Sequence, residues 1–169
     1  KMLKTAKNMP FLGPNCYGYL NYLDHVYLWP DQHGGKVVES GIAIIAQSSN
    51  IAINLTMQSR STPIAYVLTS GNQAKLDIAD LGFAMIEDPR VTAIGFYIEG
   101  IKDLRKFEKM AILALKMNKP MIALKSGKTH SSRAQSFTHT ASITGNSDIS
   151  TAFFERLGIV EVNDLDIFL

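Results

Sequence analysis

Cysteine is almost missing from this sequence: Cys16 is the only one in 169 residues. A lone cysteine closes no internal disulfide and builds no zinc cage of cysteine pairs, so a reducing cytoplasm is the expected setting. An excess of one charge is also missing. Lysine and arginine total 17 against 15 acidic residues, a net charge of +2, and no basic stripe of the kind that tracks a nucleic-acid backbone accompanies them, so no nucleic-acid partner is expected. No apolar run approaches the ~18 residues that span a bilayer, and residues 1–10 hold no apolar signal core, so a soluble protein with no membrane partner is expected. Low-complexity segments and residue-level repeats are absent, as is a Gly-x-Ser-x-Gly elbow after a strand, which sets aside a serine hydrolase. The stretch KSGKTHS carries Gly127, Lys128 and Thr129 but not the first glycine of a Walker loop. His25, His33 and His130 have no metal-site spacing and read as surface residues, so no metal site is expected.

What is present is 46% hydrophobic content, enough for one good core with room for an attached fragment. Residues 1–33 lack sustained periodicity and read as the end of something else, which puts a boundary between 33 and 34. From Gly41 a regular unit begins: the apolar run GIAIIA, a polar turn QSSN, then IAINLTMQS with apolar residues at helical spacing. It recurs as IAYVLTSGN with LDIADLGFAMIEDP, as VTAIGFYIEG with DLRKFEKMAILALKMNKP, and as MIALKSG, a long loop and STAFFERLG; IVEV follows as a last strand. About five β-α units with strands too apolar for a wet face predict an α/β fold, a flavodoxin-like doubly wound parallel sheet in a three-layer sandwich.

Ligands of such sheets bind beyond the carboxyl ends of the strands. Four sets of polar residues fall there: Gln47, Ser48, Ser49 and Asn50; Ser70, Gly71 and Asn72; Glu99 with Gly100; and Lys125, Ser126 and Gly127. Residues 125–145 form a long polar loop from the same edge, rich in the glycines, hydroxyls and cations that suit a phosphate. Within it His139, bracketed by Thr138 and Thr140, is the candidate reactive group. Glu99 follows an apolar strand, where a carboxylate is costly to desolvate without a partner such as a histidine ring N–H. A carboxylate so placed would leave the other ring nitrogen as a nucleophile and steady the charge that phosphorylation creates. The plain alternatives are a solvated loop histidine and serines that merely cap a helix.

The succession GPNCYGYLN, GIAIIAQSSN, TSGN, DP-x-VTAIGFYIEGI, KP-x-IALKSG, THTASITG and AFFERLGIVEV resembles the NDP-forming acyl-CoA synthetases, relatives of succinyl-CoA synthetase, over most of the chain. The resemblance implies that residues 1–33 are the C-terminal remnant of a CoA-binding domain and its linker, and 34–169 a succinyl-CoA-ligase-like flavodoxin domain. It implies a ligase forming carbon–sulfur bonds, with His139 as the phosphohistidine that carries phosphate between acyl-phosphate and nucleotide, and Glu99 as the residue that steadies it. It further implies phosphate binding by Gln47, Ser48 and Ser49, to which the residues themselves add Asn50 at the helix start and Gly127 and Thr140 of the long loop, and it implies that Asn15, Cys16 and Gly18 border the CoA site. Ser70, Gly71, Asn72 and Lys125 stand as edge-of-sheet candidates. CoA, an acyl substrate, and ATP/ADP or GTP/GDP with magnesium on an ATP-grasp partner complete the expected set, in an oligomer; no flavin is expected. Two turns depart from the family pattern, with Ala141 after His-Thr and Ser49-Asn50 in place of Gly-Ala. Those departures motivate the other reading, a non-catalytic CoA- or acyl-CoA-binding regulatory module.

Overall fold

The computed structural model describes residues 2–126 and 147–169. Its elements in chain order are α1 (Met2–Ala6), β1 (Tyr19–Asn21), β2 (Val26–Leu28), β3 (Gly41–Ala46), α2 (Ser49–Thr56), β4 (Ile64–Thr69), α3 (Ile78–Glu87), β5 (Val91–Ile98), α4 (Leu104–Lys116), β6 (Met121–Lys125), α5 (Ser147–Arg156), β7 (Val160–Val162) and α6 (Leu165–Phe168). Among the described residues seven strands form one sheet, in the order β2-β1-β4-β3-β5-β6-β7. The run from β4 to β7 is parallel, and β1 joins β4 antiparallel. Counted along the chain the parallel strands stand 2-1-3-4-5, the flavodoxin-like order, with its switch point between β3 and β5.

Alternation along each strand sends side chains to two separate cores. Ile94, Phe96 and Ile98 of β5 join one with Met85 of α3, Phe107 and Met110 of α4, and Phe154 of α5. Ile44 and Ala46 of β3 join the other with Leu55 of α2, Leu124 of β6 and Phe168 of α6. On that second face a Cβ at Gly95 would lie 2.8 Å from the Phe168 ring, so the missing side chain is what lets α6 settle on β5. The helices begin where the sequence supplies caps: Asp77 forms a reciprocal capping box with Asp80 for α3, and the Asp103 side chain accepts from Lys106 N for α4. Helical spacing of Phe107, Met110, Ala111 and Ala114 buries one face of α4.

Two features differ from the sequence reading. Residues 19–28, without visible periodicity, form a hairpin that extends the sheet past β4. Its strands are three residues each, too short for alternation to register, and only Leu20 of β1 is fully buried while β2 is exposed throughout. Asn21 shapes the hairpin turn by accepting from Leu23 N and Asp24 N at 2.9 and 3.0 Å. Arg90, at the start of β5, then clamps both carboxylate oxygens of Asp24 at 2.7 and 3.1 Å. The second difference is His33, which is half-buried against the rings of Tyr22 and Tyr27, with Nδ1 3.2 Å from the Tyr22 hydroxyl. It is a packing residue of the hairpin, not a surface histidine; His25 is exposed, and His130 lies outside the described residues.

Candidate functional site

The strand register brings the carboxyl ends level. Ala46 stands opposite Thr69 on one side and Tyr97 on the other, and Ile98 opposite Lys125. The turns that follow therefore share one rim. Ser48 is the N-cap of α2, its backbone extended (φ −103°, ψ 120°) and its hydroxyl accepting from Ile51 N at 3.4 Å. Ser48 and Ser49 are half-buried and Asn50 is exposed, at the end of a helix where free N–H groups and the dipole favour an anion.

Glu99 sits one residue past β5, half-buried, on the alternating face that also carries Tyr97. The Tyr97 hydroxyl is pushed above its usual pKa by burial and, after that, by the charge of Glu99. Around Glu99 the backbone leaves the sheet, and side chains take over its hydrogen bonds. Gln47 Oε1 accepts from Glu99 N and from Gly100 N, the latter at 2.8 Å, while Gln47 Nε2 donates to Gly100 O at 2.6 Å. Gln73 Nε2 reaches the same carbonyl at 3.4 Å, and Lys125 Nζ donates to Glu99 O at 2.8 Å. Gln47 and Gln73 are each only 7% exposed.

The segment before β1 lies on the same rim. Tyr17 N donates to Ser49 Oγ at 3.0 Å and to Thr69 Oγ1 at 3.1 Å; Gly18 N donates to Thr69 Oγ1 at 2.9 Å, and Thr69 Oγ1 donates to Gly18 O at 2.8 Å. Asn72 N and Ala74 N donate to Pro14 O and Gly13 O. Gly71 allows this close approach: at φ +51° a Cβ would stand 2.3 Å from Asn15 O and 2.4 Å from Pro14 O. Cys16 is half-buried, and burial raises its thiol pKa. Ser70 is fully buried, and its hydroxyl has no partner among the described residues.

Gln47 to Asn50, Ser70 to Asn72, Glu99 and Lys125 thus share the rim, and Asn15, Cys16 and Gly18 lie on the strap that crosses it. His139, Gly127 and Thr140 lie outside the described residues. Sequence reasoning missed Tyr17, Thr69, Gln73 and Tyr97. Thr69 and Tyr97 lie inside strands, where they read as ordinary strand residues, and nothing in the pattern sets Gln73 apart. Among the described residues no cluster of three or more His, Cys, Asp or Glu could hold a metal ion, and no helix is long and apolar enough to cross a membrane.

Residues 39–169 match the family model described as succinyl-CoA ligase like flavodoxin domain. Over 163 residues, 94% of this chain and 34% of the relative, the chain is 33% identical to the alpha subunit of the ADP-forming acetate–CoA ligase II of Pyrococcus furiosus. It is 34% identical to the ADP-forming acetate–CoA ligase of Methanocaldococcus jannaschii, covering 95% of this chain and 23% of that one. In structure it is similar to the dinucleotide-forming acetyl-coenzyme A synthetase 1 of Ca. Korarchaeum cryptofilum, solved in complex with phosphate and ADP. The TM-score is 0.79 at 29% identity, covering 99% of this chain and 37% of that one. The chain therefore spans about a third or less of the length of these relatives.

Proposed function

From the premise that the chain belongs to the succinyl-CoA ligase like flavodoxin domain family, we propose that it is one component of an ADP-forming acid–CoA ligase, passing phosphate through His139. A neutral ring nitrogen of His139 attacks the phosphorus of an acyl-phosphate, the bond from phosphorus to the acyl oxygen breaks, and a carboxylate leaves. A terminal oxygen of ADP then takes the phosphoryl group, and the imidazole is restored. Glu99 accepts from the other ring nitrogen and steadies the positive charge of the phosphorylated ring. Amides at the start of α2, with the hydroxyls of Ser48 and Ser49, hold the phosphate. Asn15, Cys16 and Gly18 border CoA, an ATP-grasp partner holds nucleotide and magnesium, and the assembly works in the cytoplasm.

The observation that carries this reading is the half-buried Glu99 carboxylate on the rim that also carries the helix start of α2, joined to it through Gln47. The test is to incubate the full-length protein, assembled with its nucleotide-binding partner, with labelled nucleotide. Acid-labile label on His139, lost in His139→Ala, is expected; label that persists in His139→Ala would sink the proposal.

A second reading, a CoA- or acyl-CoA-binding regulatory module, draws on one observation. The Ser49 hydroxyl, where the family pattern has glycine, is engaged by Tyr17 N and fastens the 13–18 strap. On that reading the full-length protein binds CoA and takes up no phosphate under turnover conditions.

A further inference from the structure

We propose that Gln47 is a positioning residue for Glu99, acting as a surrogate strand that holds the Glu99–Gly100 peptide where the sheet can no longer do so. This rests on the reading of Glu99 as the residue that supports His139. The β5 ladder ends at Ile98, with Ser126 N donating to Ile98 O at 2.8 Å. Beyond that point four backbone groups need partners. Gln47 serves three of them, Glu99 N, Gly100 N and Gly100 O. Lys125 Nζ serves the fourth, Glu99 O. An amide side chain can accept two N–H bonds at one atom and donate from its other without carrying charge at any ordinary pH, and the two converging N–H groups fix which end of Gln47 is the oxygen.

The arrangement is built to be rigid. Gln47 is nearly buried, its own N–H donates to Tyr97 O at 3.1 Å, and Gln73 braces the Gly100 carbonyl from the next loop while its Oε1 accepts from Ile78 N at 3.0 Å. Lys102 Nζ in turn holds Gln73 O at 2.9 Å. The Cα of Glu99 is thereby pinned from β3, from the β4–α3 loop and from β6, which fixes the direction in which its Cα–Cβ bond leaves the backbone. Gln47 Oε1 is spent on two backbone N–H groups and one Nε2–H on a backbone carbonyl, so most of what this side chain can offer goes to the peptide that carries Glu99.

The test uses the full-length protein with its nucleotide-binding partner and reads the rate of acid-labile phosphorylation together with KM for CoA. Gln47→Met should slow phosphorylation by about 10²-fold, the effect of misplacing a group by roughly 1 Å, with KM for CoA moved by less than about twofold. In a Glu99→Gln background the same substitution should add less than about threefold, because residues that act through one another are not additive. Unchanged phosphorylation in Gln47→Met, or an equal loss in both backgrounds, would overturn the proposal while leaving the Glu99 reading intact. No effect of Glu99→Gln would bring down that reading first, and this inference with it. Should Gln47→Met not fold, Gln47→Glu decides alone. Its protonated carboxyl can donate to Gly100 O as the amide does, and its ionised form sets two oxygens against each other. Its rate relative to wild type should fall as pH rises through that titration, and a flat ratio would overturn the proposal.

Discussion

Glu99 holds its carboxylate half-buried one residue past the apolar strand β5. The carboxylate at the end of an apolar strand was legible because its residue type conflicts with its neighbours, and such conflicts mark sites. Replacing it by glutamine keeps the shape and removes the charge, so phosphorylation should drop by about 10²- to 10³-fold in single-turnover labelling, the usual weight of a positioned electrostatic group. A loss below about threefold would mean that the charge does not act on the ring. Gly71 makes a different demand. Its positive φ and the carbonyls of Pro14 and Asn15 leave no room for a Cβ, so Gly71→Ala should destabilise the fold by about 1–3 kcal/mol in denaturant titrations. No such conflict marks Gln47 or Gln73, since glutamine after a strand is ordinary turn chemistry. Their roles follow only from which backbone atoms they meet in space.

At the level of elements, apolar residues at helical spacing told α2 to α5, while α1 lies in the stretch read as lacking periodicity. The cap at Asp77 emerges from the structure: its side chain accepts from Ala79 N and Asp80 N at 3.0 Å and pairs with Lys106 of α4 at 3.0 Å. Asp77→Ala should cost about 1 kcal/mol from the cap alone, read as a lower midpoint in thermal unfolding. The hairpin was illegible because what holds it is distant in sequence. Arg90 links Asp24 of the hairpin to Asp88, which also accepts from the Tyr66 hydroxyl at 2.8 Å. The Arg90 guanidinium beside it holds the Asp88 carboxyl down at about 2, and Asp24 is lowered by the same partner. Because these pKa values lie below the ordinary carboxylate value of about 3.9, the stabilisation is complete above that pH and is lost as pH falls toward 2. Amides of β1 and β2 should then exchange faster near pH 2.5 than the pH dependence of intrinsic exchange accounts for. Arg90→Met should bring that acceleration to neutral pH, and equal protection in both proteins would remove the clamp from the account.

Across the whole molecule, five parallel strands were foreseen from five apolar runs, whereas the strap over the rim was not. Segment 13–18 lies far in sequence from Ser49, Thr69, Asn72 and Ala74, and its bonds to them run through its own backbone atoms, which no residue pattern encodes. Residues 19–21 of β1 cover the open side of β4. A fragment of residues 39–169 should therefore present β4 as a bare edge and self-associate in sedimentation beyond whatever residues 1–169 do. That same pairing also sets an order in time. During synthesis the hairpin emerges before β3 and β4 exist, and a two-stranded hairpin alone is marginal in water. With Val26, Tyr27 and Leu28 exposed even in the finished sheet, it must wait for β4, and β4 needs β3 as its other neighbour. β1 and β2 are thus late to become native within this sheet, and substitutions there should speed unfolding while leaving the folding rate nearly unchanged.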